Sequence, residues 1–198
     1  MNPVNPLSHL DRYRIILASA SPRRRELLAM LGLKFEVIPA PVDNEDYPPE
    51  TAPADIPEFL ARKKAEACNF GDDTLTITAD TIVLAGNKVL GKPADADDAK
   101  KMLKLISGSS HLVVTGVAVK TSRALYSFTA ATEVSFARLT EREMDWYIST
   151  CRPFDKAGAY GIQEWIGCIG VTGIRGSYYN VMGLPLHRLY TLLANIPG

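Results

Sequence analysis

Charge of one sign, metal-binding side chains and long apolar runs are all scarce in this chain of 198 residues. Lys and Arg number 22 and Asp and Glu number 22, so the formal net charge is zero. No global field draws such a protein to DNA, RNA or an anionic membrane, and any anion site has to be local. The cysteines, Cys68, Cys151 and Cys168, are odd in number, far apart and without a Cys-x-x-Cys pair. That excludes a disulfide framework and a cysteine zinc site, and it fits a reducing cytosol. His9, His111 and His187 lack ligand spacing and read as surface or capping residues. No segment reaches the roughly 18 apolar residues of a membrane span. The opening "MNPVNPLSHLDRYR" has two prolines and no apolar core, so residues 1–13 read as a loose lead-in. The length then suits one domain over residues 14–198, two-lobed at most.

What is present alternates between strand and helix. "RIILAS" reads as a buried strand and "RRRELLAML" as a helix, with Ser21 as N-cap, Pro22 in the first turn and Gly32 past the end. "KFEVIPA" is a second short strand, followed by a Pro-rich acidic loop and a helix through "EFLARKKAEAC". "TLTITADTIVLA" and "KVLGKP" flank Gly86-Asn87, which suits a tight primed turn and hence a hairpin. Asp95 opens the helix "DDAKKMLKLI". "HLVVTGVAVK" and "ALYSFTAATEVSFARL" form an antiparallel pair joined at Thr121 to Arg123. Thr140-x-x-Glu143 is a capping box. "DKAGAYGIQ" is too rich in small residues for an ordinary helix or strand. "CIGVTGI" and "SYYNVM" read as strands, and "PLHRLYTLLANI" as an amphipathic helix. Hairpins mixed with strand-helix units indicate an α/β domain on a mixed sheet.

Gly86-x-x-x-x-Gly91-Lys92 has the spacing of a phosphate-cradling P-loop. Such a loop needs a helix starting at the Lys and a neighbouring hydroxyl for the metal. Here Val89 and Leu90 favour extended backbone, and Pro93 occupies the hydroxyl's place and biases Lys92 away from the α region. Lys92 is therefore a cation at a strand end rather than a P-loop lysine. Asp80, in "ITADTIV", is the other anomaly. In an extended run it shares a face with Thr76, Thr78 and Ile82, and an ionised carboxylate deprived of water requires donors or a cation. A structural Asp at a bulge is the plain alternative. The cation is supplied by "ASASPRRRELL": a helix N-terminus with Arg23, Arg24 and Arg25 in its first turn and the hydroxyls of Ser19 and Ser21 beside it is an anion site. At least one of the three arginines faces solvent, because together they span most of a turn.

The segments "LASASPRRRELL", "ADTIV", "GKP", "SGSSH", "TGVAV", "DKAGAYGIQ" and "GSYYNVMGLPL" resemble, in that order, the motifs of the Maf family of nucleoside triphosphate pyrophosphatases, over nearly the whole chain. The resemblance implies an α/β fold like that of inosine triphosphate pyrophosphatases, a mixed sheet with flanking helices and two lobes around a deep cleft. It implies cleavage of a nucleoside triphosphate between the α and β phosphates with a divalent cation, Mg²⁺ or Mn²⁺, in a cytoplasmic homodimer. Asp80 matches the catalytic proton acceptor. The form of "SPRR", "ADT" and "GIQ" resembles the branch acting on dTTP and UTP, so Arg23, Thr81 and Gln163 match positions tied to pyrimidine specificity. A Gln amide offers both a donor and an acceptor to a uracil edge. Lys64 and Lys92 match lysines that contact phosphates, and Lys156 in "DKAGAY" is a further cation near the cleft. Members commonly carry adjacent acidic residues where this chain reads "PVDNEDYP". Asn44 interrupts that pair, and Asp43 or Glu45 could serve beside Asp80 as a metal ligand. A rival expectation from the same resemblance is a regulator of cell division and septum formation that binds nucleotide without turnover.

Overall fold

The computed structural model describes residues 4–42 and 46–197. Seven strands appear among them: β1 (Arg14–Leu17), β2 (Glu36–Val37), β3 (Thr74–Ala85), β4 (Lys88–Leu90), β5 (Ser110–Lys120), β6 (Leu125–Phe136) and β7 (Val171–Arg175). They form one mixed sheet in the order β2-β1-β3-β5-β6-β7, with β4 paired to β3. The helices are α1 (Pro22–Ala29), α2 (Ile56–Ala67), α3 (Ala96–Ile106), α4 (Glu141–Cys151), α5 (Trp165–Gly170), α6 (Tyr178–Met182) and α7 (Leu186–Ala194). This is the α/β class expected from the alternation of patterns. The chain divides into two compact units, one holding residues up to Asp80, Thr115–Ala130 and Gly183 onward, the other Thr81–Val114 and Ala131–Met182. Strands β3, β5 and β6 each contribute residues to both.

In the first unit β1 runs parallel to β2 and to β3, with Leu17 opposite Val37 and Ile77. Parallel strands are covered on both faces, which is why Ile15, Ile16, Leu17, Leu75 and Ile77 are all buried, with Thr76 between the last two buried as well. Helix α2 is seated by small residues. Ala61 and Ala65 pack with Ala118 of β5, and a Cβ added at Gly116 would lie 2.2 Å from the backbone of Pro57 and Glu58. Backbone meets backbone there because position 116 has no side chain. The same end of α2 is tied to β6, where Glu58 accepts hydrogen bonds from Ser127 Oγ at 2.6 Å and Thr129 Oγ1 at 2.7 Å.

The loose lead-in is corrected for residues 4–13. Leu7 and Leu10 are fully buried, and Asn5 Nδ2 donates to the carbonyls of Leu31 and Gly32, both at 3.1 Å. Asn5 thereby ties the segment to the turn that follows α1. Two prolines and a polar composition hid a pair of core leucines spaced one 3₁₀ turn apart.

In the second unit α3, α4 and α5 bury an apolar cluster against strand residues such as Val83, Val113 and Val134. The capping box forms as expected, Thr140 Oγ1 accepting from Glu143 N while the Glu143 carboxylate accepts from Thr140 N. The β3–β4 hairpin closes through Gly86-Asn87, with positive φ at Gly86 and not at Asn87, the pattern of a type II′ turn. No helix begins at Lys92; the next one starts at Ala96, so the P-loop spacing carries no P-loop. Two strand expectations are corrected. "SYYNVM" contains α6, because Ser177 Oγ accepts the Asn180 amide as an N-cap does, and that local bond overrides the β preference of Tyr and Val. In "CIGVTGI" the strand begins only at Val171, since Cys168 to Gly170 complete α5.

Two predictions follow from packing. Gly116→Ala forces α2 off β5 and is expected to destabilise the fold by about 1–3 kcal/mol or more, read as a lowered Tm. His111 is 3 % exposed, with Nε2 2.8 Å from Tyr160 Oη, and burial depresses its pKa from 6.5 to about 4. The unfolded chain therefore binds the proton more readily. The contribution, up to about 3 kcal/mol, is complete above pH 6.5 and lost as pH falls towards 4. Stability of His111→Gln measured by denaturant titration should vary less with pH across that window.

Candidate active site

The carboxyl end of a parallel strand is where an α/β sheet leaves room for a ligand. β1 ends at Leu17 beside Ile77 of β3, and the chain then turns through Ser19 and Ser21 into α1. Ser21 N donates to Ser19 Oγ at 3.2 Å, and Ser21 Oγ accepts from Arg24 N at 3.4 Å, so both hydroxyls shape the turn that delivers the arginines. Arg24 is half-buried and bonded to backbone: Nε donates to Gly183 O at 2.9 Å and Nη1 to Ala79 O at 2.7 Å. It pins the residue preceding Asp80 and the loop before α7. Arg23 is half-buried and Arg25 exposed, so Arg25 is the solvent-facing member of the three.

Asp80 is 7 % exposed. Thr78 and Asp80 share a face of β3, as the period of two requires, and both reach α2: Thr78 Oγ1 donates to Ala61 O at 2.7 Å, and Lys64 Nζ donates to Asp80 Oδ1 in a short ion pair. The helix makes this contact by spacing. Ala61, Lys64, Ala65 and Cys68 fall on one face at i, i+3, i+4 and i+7, and the small members bring the helix close enough for the lysine to reach. A carboxylate with so little water is tolerated because a cation is bonded to it.

Ser19, Ser21, Arg23, Arg24, Lys64 and Asp80 thus belong to the first unit. Thr81, Lys92, Lys156 and Gln163 belong to the second. There Thr81 is half-buried, Lys92 and Gln163 exposed, and the Lys156 side chain only 9 % exposed, with Nζ 2.7 Å from Asp155 Oδ1 and 3.0 Å from Glu164 Oε1. Lys156 is already neutralised by two carboxylates. Glu45, like Asp43, lies outside the described residues. The sequence reading missed Glu164 and Tyr147, which bond each other; the available signal was a lone carboxylate directly after Gln163 in a stretch of small residues. It also missed the backbone role of Arg24, which no local pattern announces.

Removing one member of the ion pair strands the other charge. Lys64→Met is expected to cost up to about 3 kcal/mol in stability, and adding Asp80→Asn should restore most of it. A double-mutant cycle by denaturant unfolding measures the coupling.

The comparisons agree with one another. Residues 14–196 match the family model described as Maf-like protein. A protein of Phocaeicola vulgatus named dTTP/UTP pyrophosphatase is 53% identical over 192 residues, 96% of this chain and 100% of its own length. One of the same name from Bacteroides thetaiotaomicron is 51% identical over 186 residues, covering 93% of this chain and 96% of that protein. Among solved structures, a HAM1 protein from Coxiella burnetii superposes with a TM-score of 0.51 at 18% identity, over 91% of this chain and 98% of that one, a likeness of fold.

Proposed function

The chain belongs to the Maf family, and from that premise we propose that it is a nucleoside triphosphate pyrophosphatase cleaving dTTP and UTP to the nucleoside monophosphate and pyrophosphate. Relatives of about half identity over nearly full length, named for this activity, support the reading. The observation that carries it is the buried Lys64–Asp80 pair in β3, three residues beyond the point where parallel β1 ends opposite Ile77, with Arg24 of the following helix start bonded to the Ala79 carbonyl.

In the proposed reaction a water oxygen attacks the α-phosphorus. The bond from that phosphorus to the bridging oxygen breaks, and pyrophosphate leaves with the electron pair. Asp80 takes the water's proton. Lys64 moves from Asp80 to a phosphate oxygen as substrate arrives, which frees the carboxylate to act as base and places a cation against the charge that builds up. Lys92 adds positive charge at phosphate oxygens, while Arg24 holds the Ala79 carbonyl and so keeps Asp80 in place. Electrostatics and positioning of this kind supply most of the acceleration in such transfers.

A divalent cation, Mg²⁺ or Mn²⁺, supplies further neutralisation of the triphosphate when bound. One carboxylate together with substrate phosphates is an ordinary Mg²⁺ ligand set, and Asp80 meets that need among the described residues; Glu45 is the second candidate. Arg23, Thr81 and Gln163 are proposed to read the base, the exposed Gln163 amide offering a donor and an acceptor to the uracil or thymine edge. No helix among the described residues is long and apolar enough to cross a membrane. Cytoplasmic placement and a homodimer remain part of the proposal, the latter tested by light scattering.

A panel of nucleoside triphosphates with products identified tests the reading. Monophosphate and pyrophosphate from dTTP and UTP, with little from purine nucleotides, is the expected result; tight binding without turnover in either metal would support the nucleotide-binding regulator instead. Asp80→Asn should lower kcat by about 10²–10⁴-fold with the fold intact, and near-normal turnover in that variant would remove Asp80 from the chemistry.

A further inference from the structure

The segment from Asp155 to Glu164 is held in a conformation it would not choose alone. Gly158 and Ala159 both have left-handed backbone, with φ of 70° and 59°, and a non-glycine residue at positive φ persists only where its surroundings impose it. The surroundings are visible. Gly158 N donates to Gly91 O at 3.0 Å. Tyr160 Oη bonds His111 Nε2 at 2.8 Å. Gly161 N donates to Tyr147 Oη of α4 at 3.1 Å.

The two ends of the segment are then closed on each other. Tyr147 Oη donates to Glu164 Oε2, and Glu164 Oε1 accepts from Lys156 Nζ at 3.0 Å. Glu164 N donates to Gly161 O at 3.0 Å. Glu164 stands at the N-cap of α5, yet its side chain caps nothing there; it is turned back into the loop instead. Gly161 makes this possible, since a Cβ at that position would come within 2.8 Å of the Glu164 carboxyl carbon. Burial, then Glu164, push the Tyr147 phenol's pKa up, so it stays a donor at any working pH. Gln163 is the residue immediately before Glu164, and it is exposed.

We infer that Tyr147, Glu164 and Lys156 form a positioning circuit for Gln163: by fixing the backbone on its carboxyl side they aim its amide, and so set the selectivity among pyrimidine bases. Lys156 is then the internal cation of this loop rather than a contact to phosphate. The inference rests on the pyrimidine triphosphate pyrophosphatase reading and adds residues outside the motif positions associated with the base. A freely rotating Gln pairs with either pattern of a pyrimidine edge by flipping its amide. A held one prefers the acceptor and donor of uracil over the exchanged pair of cytosine.

Tyr147→Phe removes one hydroxyl and leaves both charges in place, which makes it the cleanest variant; Glu164→Gln keeps shape and removes the charge. Steady-state kinetics with UTP and CTP should show the ratio of kcat/KM falling by about tenfold in each, mainly through a raised KM for UTP. Equal losses on both nucleotides, with the ratio unchanged, would mean a merely structural role and overturn the inference. Hydrogen exchange of residues 158–164 provides a second readout independent of turnover: faster exchange in Tyr147→Phe, with other segments unaltered, is expected, and unchanged exchange sinks the circuit. A wild-type protein inactive on UTP marks failure of the pyrophosphatase reading, whereas an active wild type with unshifted variant ratios marks failure of the positioning role.

Discussion

A carboxylate in the interior of a strand, nearly stripped of water, survives because an ammonium group meets it. The pair formed by Lys64 and Asp80 is the constraint that the packing of α2 on the sheet serves, and it is set by small residues several positions away. Ala61, Ala65, Ala118 and the absent side chain at position 116 let α2 settle against the sheet. A larger residue at any of these would raise the helix and lengthen the distance the lysine has to span. Dense interiors transmit such changes, so residues that never touch a ligand govern whether the charged pair forms.

The arginine at position 24 acts in a similar way on the backbone of β3. Its guanidinium is a planar fork suited to two acceptors, and here it takes carbonyls from two separate stretches of chain, Ala79 and Gly183. A basic residue in a motif is easily assigned to an anion. Its first duty in this fold is to hold backbone.

Local chemistry was legible in the sequence wherever a signal is confined to neighbouring residues. The Ser21 N-cap, the Thr140–Glu143 capping box, the Gly86-Asn87 turn and the shared face of Thr78 and Asp80 all depend on spacings of two to four positions, and all are found. The two strand misreadings share a cause. In "SYYNVM" and the first half of "CIGVTGI", β-favouring side chains suggested extension, whereas a serine cap and the carbonyl of Glu164, which accepts amides from Gly167 and Cys168, start helical turns. Leu7 and Leu10 went unrecognised because two isolated leucines among prolines have no period to reveal them.

Of the candidate site, the residue types were readable and the partnerships were not. Asp80 announced its need for a cation because a charged group in a strand is anomalous in itself, and the arginines announced an anion because they open a helix. Which lysine answers Asp80, that Lys156 is already claimed by Asp155 and Glu164, and that Tyr147 ties α4 to the loop before Gln163 were decided by tertiary structure alone. The reason is physical. Propensity, capping and amphipathic period are properties of a few adjacent residues, while the partner of a charge depends on the approach of elements tens of residues apart, and that approach is controlled by the volumes of the small side chains packed between them.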